Sequence, residues 1–334
     1  MLVLNKFLAF LAYTRRVFLQ LKHPENLKYV YLIFRGFTPN KGYFYDFKSH
    51  GYDRYVTDKT RYLENTFINF KYQNLFKDKY SNYLFLRQYT GNVVPIYALV
   101  DKGMCFFVDK YPNLETMLRE EKKFVLKPRT GWGGKGVVVL EVLENEAFLN
   151  GNPTNLSTIF SEFDNYVLVP FIEQHEYSRN INPGALNTIR FLTGVLDDEV
   201  QIIGAIHRFG SSLTGCVDNF SQGGISAKMD PYSGVIDAVY SFNAKTKRKY
   251  KTDTHPNTKE QILGVEIPHW PVVKREVIQL HDAIKFVKYI GWDIAITSDG
   301  YKIIESNHVS DVDGFQIHGP LMNNEINRRF YQSV

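Results

Sequence analysis

Residues 124–142 read FVLKPRTGWGGKGVVVLEV, and what flanks the glycines decides the architecture. Gly131, Gly133 and Gly136 satisfy G-x-G-x-x-G, a pattern that marks a dinucleotide-binding turn only when a strand enters it and a helix leaves it. Phe124, Val125 and Leu126 supply the strand. The exit is Val137, Val138, Val139 and Leu140, where branching at Cβ disfavours a helix start and suits a strand. The stretch therefore predicts strand, glycine-rich turn, strand: a hairpin whose tip folds over a ligand. Lys135 is followed by Gly136 rather than Ser or Thr, which excludes the phosphate loop of P-loop nucleotide hydrolases.

Downstream, EVLENEAFLNG predicts a helix closed by Gly151, and residues 165–174 (NYVLVPFIEQ) a nearly continuous apolar strand. Residues 187–210 predict a hairpin that turns at Asp197-Asp198. The turn-rich segment 215–236 predicts a short strand at either end. Pro271 opens an amphipathic helix along Val272, Val273, Val277, Leu280, Ile284 and Val287 that stops at Gly291. The following WDIAITSDGYKIIESNHV predicts two strands joined at Asp299-Gly300. Upstream, FKDKYSNYLFLRQYTGNVVPIYALV predicts a helix ending near Gly91 and then a strand. The aromatic run before it, from Gly36 to Asn69, predicts a loop-rich element and a helix from Tyr62 to Phe70 whose rings fill a core. Hairpins with helices laid on them, without regular βαβ alternation, indicate an α+β architecture of layered antiparallel sheets.

With 334 residues, 44% hydrophobic and 22% charged, the chain is long enough for a large core in two or three subdomains. The expected division is 1–73, 74–164 and 165–334. A net charge of +5 with scattered Lys and Arg, apart from KTKRKYK at 245–251, does not call for nucleic acid and suits an acidic or phosphate-bearing substrate. Cys105 and Cys216 form no C-x-x-C pair, so no disulfide framework or zinc site is indicated and a reducing, cytoplasmic setting is expected. The N-terminal MLVLNKFLAFLAYTRRVFLQLK has no small-residue cleavage site and an apolar run too short to span a bilayer. As a helix it gathers Val3, Leu4, Phe7, Leu8, Phe10, Leu11, Val17, Phe18 and Leu21 on one face, with basic residues opposite. That face either packs on protein or lies on the inner face of a membrane.

Strand alternation singles out the last hairpin. Glu305 and Asn307 leave the same face, and Asp293 stands on the partner strand. Two carboxylates and an amide oxygen are the hard donors that Mg2+ carrying nucleotide phosphates requires. Asp293 lies within Trp-Asp-Ile-Ala-Ile and Glu305 follows Ile303-Ile304, so both acids interrupt apolar strands. Lys127 ends an apolar strand just before the glycines, where its ammonium would meet a phosphate while backbone amides close over the others.

In order and spacing these motifs, from about Asn74 to Pro320, resemble the ATP-grasp enzymes, and within them the sugar-transfer associated group. The resemblance implies two α+β subdomains gripping ATP between antiparallel sheets. It implies that Lys79, in the Asp-Lys pair of FKDKYSNY, and Lys127 contact the nucleotide, under a loop formed by Thr130, Gly131, Trp132, Gly133, Gly134, Lys135 and Gly136. LVPFIEQHE resembles the family's hinge, so Val169, Pro170, Phe171 and Ile172 would hold adenine and Glu176 the ribose; Pro170 has no N–H, and the donor falls to Ile172. Asp293, Glu305 and Asn307 match the metal ligands. An arginine that many members carry two residues before the first metal acid is here Gly291, leaving Arg190 and Arg208 as candidates to stabilise the transferred phosphoryl group.

The implied activity is an ATP-dependent ligation of a carboxylate to an amine through an acylphosphate, attaching an amino acid to a sugar of a surface polysaccharide. Asn219, Gln222, Gly223, Gly224, His308, Asp313 and Gln316 are the candidate substrate residues. A kinase on the same fold, or an inactive nucleotide-binding scaffold, would carry much of the same machinery.

Overall fold

Two seven-stranded sheets carry the chain, and every strand pair in them is antiparallel. The first contains β1 (Ala98–Asp101), β2 (Met104–Phe107), β3 (Lys123–Pro128), β4 (Val138–Leu143), β5 (Glu146–Leu149), β6 (Asn152–Thr154) and β7 (Tyr166–Pro170), ordered β2-β1-β7-β3-β4-β5-β6. The second contains β8 (Thr188–Leu196), β9 (Glu199–Phe209), β10 (Ile225–Met229), β11 (Ile236–Asn243), β12 (Arg248–Lys251), β13 (Tyr289–Thr297) and β14 (Gly300–Asn307), ordered β12-β11-β10-β9-β8-β13-β14. This computed structural model describes all residues except Met1, Trp132, Asn145, Ser157, Asn219, 244–247 and Val334, and leaves the side chains of 2–4 and 221 undescribed. Trp132, Asn219 and part of the basic run at 245–251 therefore lie outside the described residues, as do the side chains of Val3 and Leu4.

The glycine-rich stretch is the tip of a hairpin, with Val125 opposite Val139 and Leu126 opposite Val138. The helix expected beyond it is replaced by β5, which turns back so that Leu143 faces Glu146 and Glu141 faces Phe148. Glu144 makes that turn with a φ of 47°. Leu140, Val142 and Ala147 are buried, a period of two along β4 that only a strand satisfies, and the partner edge then overrides the helix propensity of Glu-Ala-Leu.

β13 is buried along its whole length between β8 and β14, which accounts for its near-continuous apolar run. The helix Trp270–Ala283 buries Val273, Val277 and Leu280, spaced four and three apart, against that sheet. It ends at Ala283 rather than Gly291, because the chain must straighten into β13 at Tyr289; Ile284 and Val287 are buried in the connection instead. Segment 215–236 has no strand at its start and contains β10, with β11 beginning at Ile236.

Packing divides the chain differently from sequence order. β7 lies between β1 and β3, so the first sheet runs to Pro170 rather than ending at 164. Phe76, Tyr83, Leu86 and Ile96 join Trp270, Trp292 and Ile303 in the core of the second sheet, while Phe124, Leu126, Leu140 and Leu168 form a separate core with Met117 and Phe160. The helix Lys79–Leu86 is capped by Asp78, whose side chain accepts from the Ser81 amide at 2.7 Å, a contact worth about 1 kcal/mol.

In the N-terminal region Phe37, Tyr45, Phe47 and Tyr55 are core residues, packed with Leu32 and Ile317. The expected helix from Tyr62 to Phe70 is broken into the short turns Arg61–Asn65 and Thr66–Ile68. The helix Leu2–Leu21 does form, but of the described side chains on the expected apolar face only Val17 is buried. Tyr13 and Val17 are buried and Arg16 turns inward, donating to the Tyr62 hydroxyl at 3.1 Å. Phe7, Phe10, Leu11 and Phe18 are exposed. Arginine packs inward because its stem covers apolar surface while its head finds a phenol.

Candidate active site

A cavity of about 1720 Å³ lies between the two sheets and reaches the N-terminal region. Of the expected nucleotide, metal and phosphoryl-transfer residues, Lys79, Lys127, Gly131, Gly133, Gly134, Lys135, Val169, Pro170, Phe171, Ile172, Arg190, Arg208, Asp293, Glu305 and Asn307 line it. Gln222, His308 and Asp313 do so among the expected substrate residues. Thr130, Gly136, Glu176, Gly223, Gly224 and Gln316 do not.

The acidic cluster is made by register. Asp293 on β13 faces Glu305 on β14, and Gly291 faces Asn307, with a bulge after Asp293. The Asn307 amide lies 3.5 Å from both the Asp293 and Glu305 carboxylates, so the three side chains meet. On the other side of β13, Asp293 faces Arg190 of β8. Arg190 donates Nε to one Asp293 oxygen and Nη2 to the other at 2.9 Å, and Arg208 brings Nη2 to 3.0 Å. Burial raises the Asp293 carboxyl pKa, but the two guanidinium groups outweigh burial and hold it below the usual carboxylate value.

A carboxylate offers about four lone-pair directions. Arg190 takes two of these on Asp293 and Arg208 stands beside it as an ion pair, leaving a face toward Glu305 and Asn307, so the oxygen donors present fit a divalent cation. Behind them Arg208 Nε is 3.5 Å from Asp218, which accepts from the Thr188 amide at 2.8 Å. Burial pushes the Asp218 carboxyl up. Ser310 accepts from Arg190 Nη1 at 3.0 Å and completes its setting.

Lys127 leaves β3 toward this cluster. It keeps some contact with solvent, yet lost hydration pushes its ammonium down to about 8; Glu305 and Asp293 oppose the shift and Lys79 adds to it. Lys79 donates Nζ to the Gly131 carbonyl at 3.2 Å, and its amide donates to the Arg129 carbonyl at 3.0 Å, tying the helix start to the lid. The lid itself rests on the second sheet's loops. Gln222 Nε2 donates to the Gly133 carbonyl at 3.0 Å, and Gly134, at φ 70°, packs so tightly that a Cβ would stand 2.4 Å from Val217 Cγ1.

At the hinge, Val169 and Pro170 pair with Val125 and Phe124. The Phe171 amide is spent on the Lys123 carbonyl at 3.3 Å, so the next N–H along the lining is that of Ile172, the expected donor. Glu176 starts the helix Glu176–Ile181 and is exposed outside the cavity. The N-cap His175 sends it outward, and Gln174 lines the cavity in its place, bonded to the Ala185 carbonyl at 2.6 Å and the Asn187 amide at 3.0 Å.

The expected substrate residues separate by role. Burial keeps the His308 imidazole neutral, at about 4. Asp313 is bound to Lys41 and to the Tyr45 hydroxyl at 2.6 Å. Gln316 is fully buried, accepting from the Val56 amide at 2.7 Å and donating to the Val56 carbonyl at 3.0 Å, so its polar groups are consumed in fastening the N-terminal region. Gly223 and Gly224 are buried, the former accepting from Ser211 Oγ at 2.8 Å. Sequence reasoning missed Thr188, Asp218 and Ser310, and the cavity-lining Arg16 and Arg61. Thr188 was within reach, since it stands two residues before Arg190 on the same strand face; the two arginines come from a region that carries no motif.

A family model described as sugar-transfer associated ATP-grasp matches residues 59–328. No curated protein matches the chain. Among solved structures, N5-carboxyaminoimidazole ribonucleotide synthetase from Thermotoga maritima is 12% identical with a TM-score of 0.42, over 82% of this chain and 57% of that one. L-amino acid ligase from Bacillus licheniformis is 11% identical with a TM-score of 0.42, over 77% and 48%. D-alanine-D-alanine ligase from Helicobacter pylori is 12% identical with a TM-score of 0.39, over 78% and 59%. The chain thus spans about half to three-fifths of each of those proteins.

Proposed function

The chain belongs to the sugar-transfer associated ATP-grasp family, and from that premise we propose that it is a Mg2+- and ATP-dependent carboxylate–amine ligase. Its substrates are small molecules, an amino acid and a sugar or sugar nucleotide of surface polysaccharide synthesis. The observation that carries this reading is the meeting of Asp293, Glu305 and Asn307 with Arg190 in the cavity that Lys127 lines beneath the glycine lid. Glu305, Asn307 and the remaining face of Asp293 would hold the metal. Lys127, Lys79 and the lid amides would hold phosphate oxygens, and residues 169–172 the adenine.

Bound there, MgATP supplies the phosphoryl group that turns a carboxylate into an acylphosphate, which an amine converts to an amide with release of phosphate and ADP. Arg190 and Arg208, held beside Asp293, would neutralise charge on the phosphoryl group in transfer. The lid keeps water from the activated acid. No protein nucleophile is required.

The test is ADP formation with candidate acids in the presence of hydroxylamine. Trapped hydroxamate is the expected product, and Glu305→Ala should abolish both turnover and the stabilisation of the protein by MgATP. ADP released onto an alcohol with no hydroxamate would replace the ligase by a kinase. Absence of any nucleotide binding would remove the enzyme reading altogether.

A further inference from the structure

Half of the large apolar side chains exposed among the described residues lie between Phe7 and Phe34, in about a tenth of the chain. On the helix Leu2–Leu21 they are led by Phe7, Phe10, Leu11 and Phe18, spaced three, one and seven residues apart and so sharing the side opposite Ala9, Arg16 and Gln20. The tight helix Pro24–Arg35 adds Tyr31 and Phe34, three residues apart and therefore nearly eclipsed, the latter 90% exposed. The two segments are fastened together by Asn26, which donates to the Gln20 carbonyl at 2.8 Å.

Charge is concentrated in the same place. Residues 1–35 contain six Lys or Arg and a single Glu, a surplus equal to the net +5 of the whole chain, so the rest of the protein is balanced. Lys6, Arg15, Lys22, Lys28 and Arg35 are all exposed. Arg15 and Lys22 flank the apolar side of the first helix rather than standing opposite it. No helix among the described residues is long and apolar enough to cross a membrane.

We propose that residues 6–35 form a docking surface for an anionic lipid bilayer. An aromatic and aliphatic face bordered by cations is what an interfacial helix needs: the rings enter the headgroup boundary while Lys and Arg meet lipid phosphates. A second copy of this chain fits worse, because self-pairing would set the same exposed cations against each other with a single acid to offset them. The inner edge of the helix, at Ala9, Ala12, Arg16 and Gln20, lines the large cavity. The element that meets lipid thus also walls the reaction space. This segment precedes the residues that the family model matches, so the surface is a property of this chain's own N-terminal region.

Flotation of the full chain with vesicles of phosphatidylcholine alone, or with added phosphatidylglycerol, tests the surface. The chain should float with the anionic vesicles and remain below with neutral ones. Combined Phe7→Glu, Phe18→Glu and Phe34→Glu should reduce flotation about tenfold or more, with the melting temperature retained because all three side chains are exposed. A charge variant, Lys6→Glu with Arg15→Glu and Lys22→Glu, should do the same without touching an apolar group. The proposal fails if the wild-type chain ignores anionic vesicles, or if both variants float as well as it does. It also fails if the chain is a dimer that these substitutions dissociate while vesicle binding is absent, which would make a second copy the occupant.

Discussion

On the proposed function, Lys127 should report nucleotide binding through its proton. In the free protein its pKa lies at about 8 against an ordinary 10.5, so between those values the unfolded chain holds the extra proton and stability rises with pH. A triphosphate beside the ammonium favours its charged form and raises the pKa. Binding should therefore take up a proton at pH values above about 8, and affinity for a non-hydrolysable ATP analogue should be nearly flat below pH 8 and fall by up to tenfold per unit as pH climbs from about 8 toward the raised value. Calorimetry in two buffers of different ionisation enthalpy measures the proton directly. Lys127→Met should bind weakly and without that slope; a flat wild-type profile would mean that Lys127 does not face phosphate. This lysine was legible in the sequence, as were Asp293 and Glu305, because a charge that interrupts an apolar strand must point into something. Glu176 and Gln316 were not: a motif offset does not tell which way a side chain leaves a helix start, and Gln316 is bound to Val56, 260 residues away along the chain.

For the hairpin of β3 and β4, the decisive contact is with Val217 of the opposite sheet's loops. An alanine at Gly134 would need a left-handed backbone and would drive its methyl into Val217. Gly134→Ala should weaken analogue binding by ~1–3 kcal/mol, roughly five- to 150-fold, by holding the lid off its seat. Val217→Ala in the same chain should restore part of that, removing the nearest atom, Cγ1, and leaving Cβ at 2.9 Å and the backbone strain. Gly131→Ala, where nothing stands within 4 Å of the added atom, isolates the strain term. Unchanged binding in Gly134→Ala, or no rescue by Val217→Ala, would show that this contact does not govern closure. The hairpin was readable because the Val-Val-Val-Leu exit admits one backbone state. β5 was not, since Glu-Ala-Phe-Leu becomes a strand only once β4 offers an edge, and that edge is tertiary information.

Over the whole molecule, the N-terminal region is fastened to the chain immediately beyond the proposed metal ligands. Lys41 is buried, bonded to Asp313 and 3.4 Å from Asp58; Asp58 accepts the Thr38 amide and hydroxyl, each at 2.8 Å, and Tyr45 reaches Asp313 at 2.6 Å. The contact helps fix the loop after Glu305-Ser306-Asn307, which Arg190 also holds at Ser310 and Arg61 at Asp311. Burial would lower the Lys41 pKa, but Asp313 and Asp58 hold it above the usual lysine value; burial would raise the Asp313 carboxyl, but Lys41 and Arg61 hold it well below the usual range. Removing the cation leaves two carboxylates buried against each other, a loss of about 3–5 kcal/mol. Asp313, with its folded pKa depressed, contributes stability that is present above the ordinary carboxylate value near 4 and is lost as pH falls below it. Without Lys41, burial of the same carboxyl is opposed only by Arg61 and the Tyr45 hydroxyl, so its pKa rises and acid costs the variant less than the wild type. Urea titrations of Lys41→Met should therefore show a deficit that is widest at neutral pH and narrows as pH falls through about 4, with the N-terminal region becoming sensitive to protease in the variant at neutral pH. A deficit independent of pH would mean that the region is held by its aromatic core alone and that the charge cluster adds nothing to the attachment.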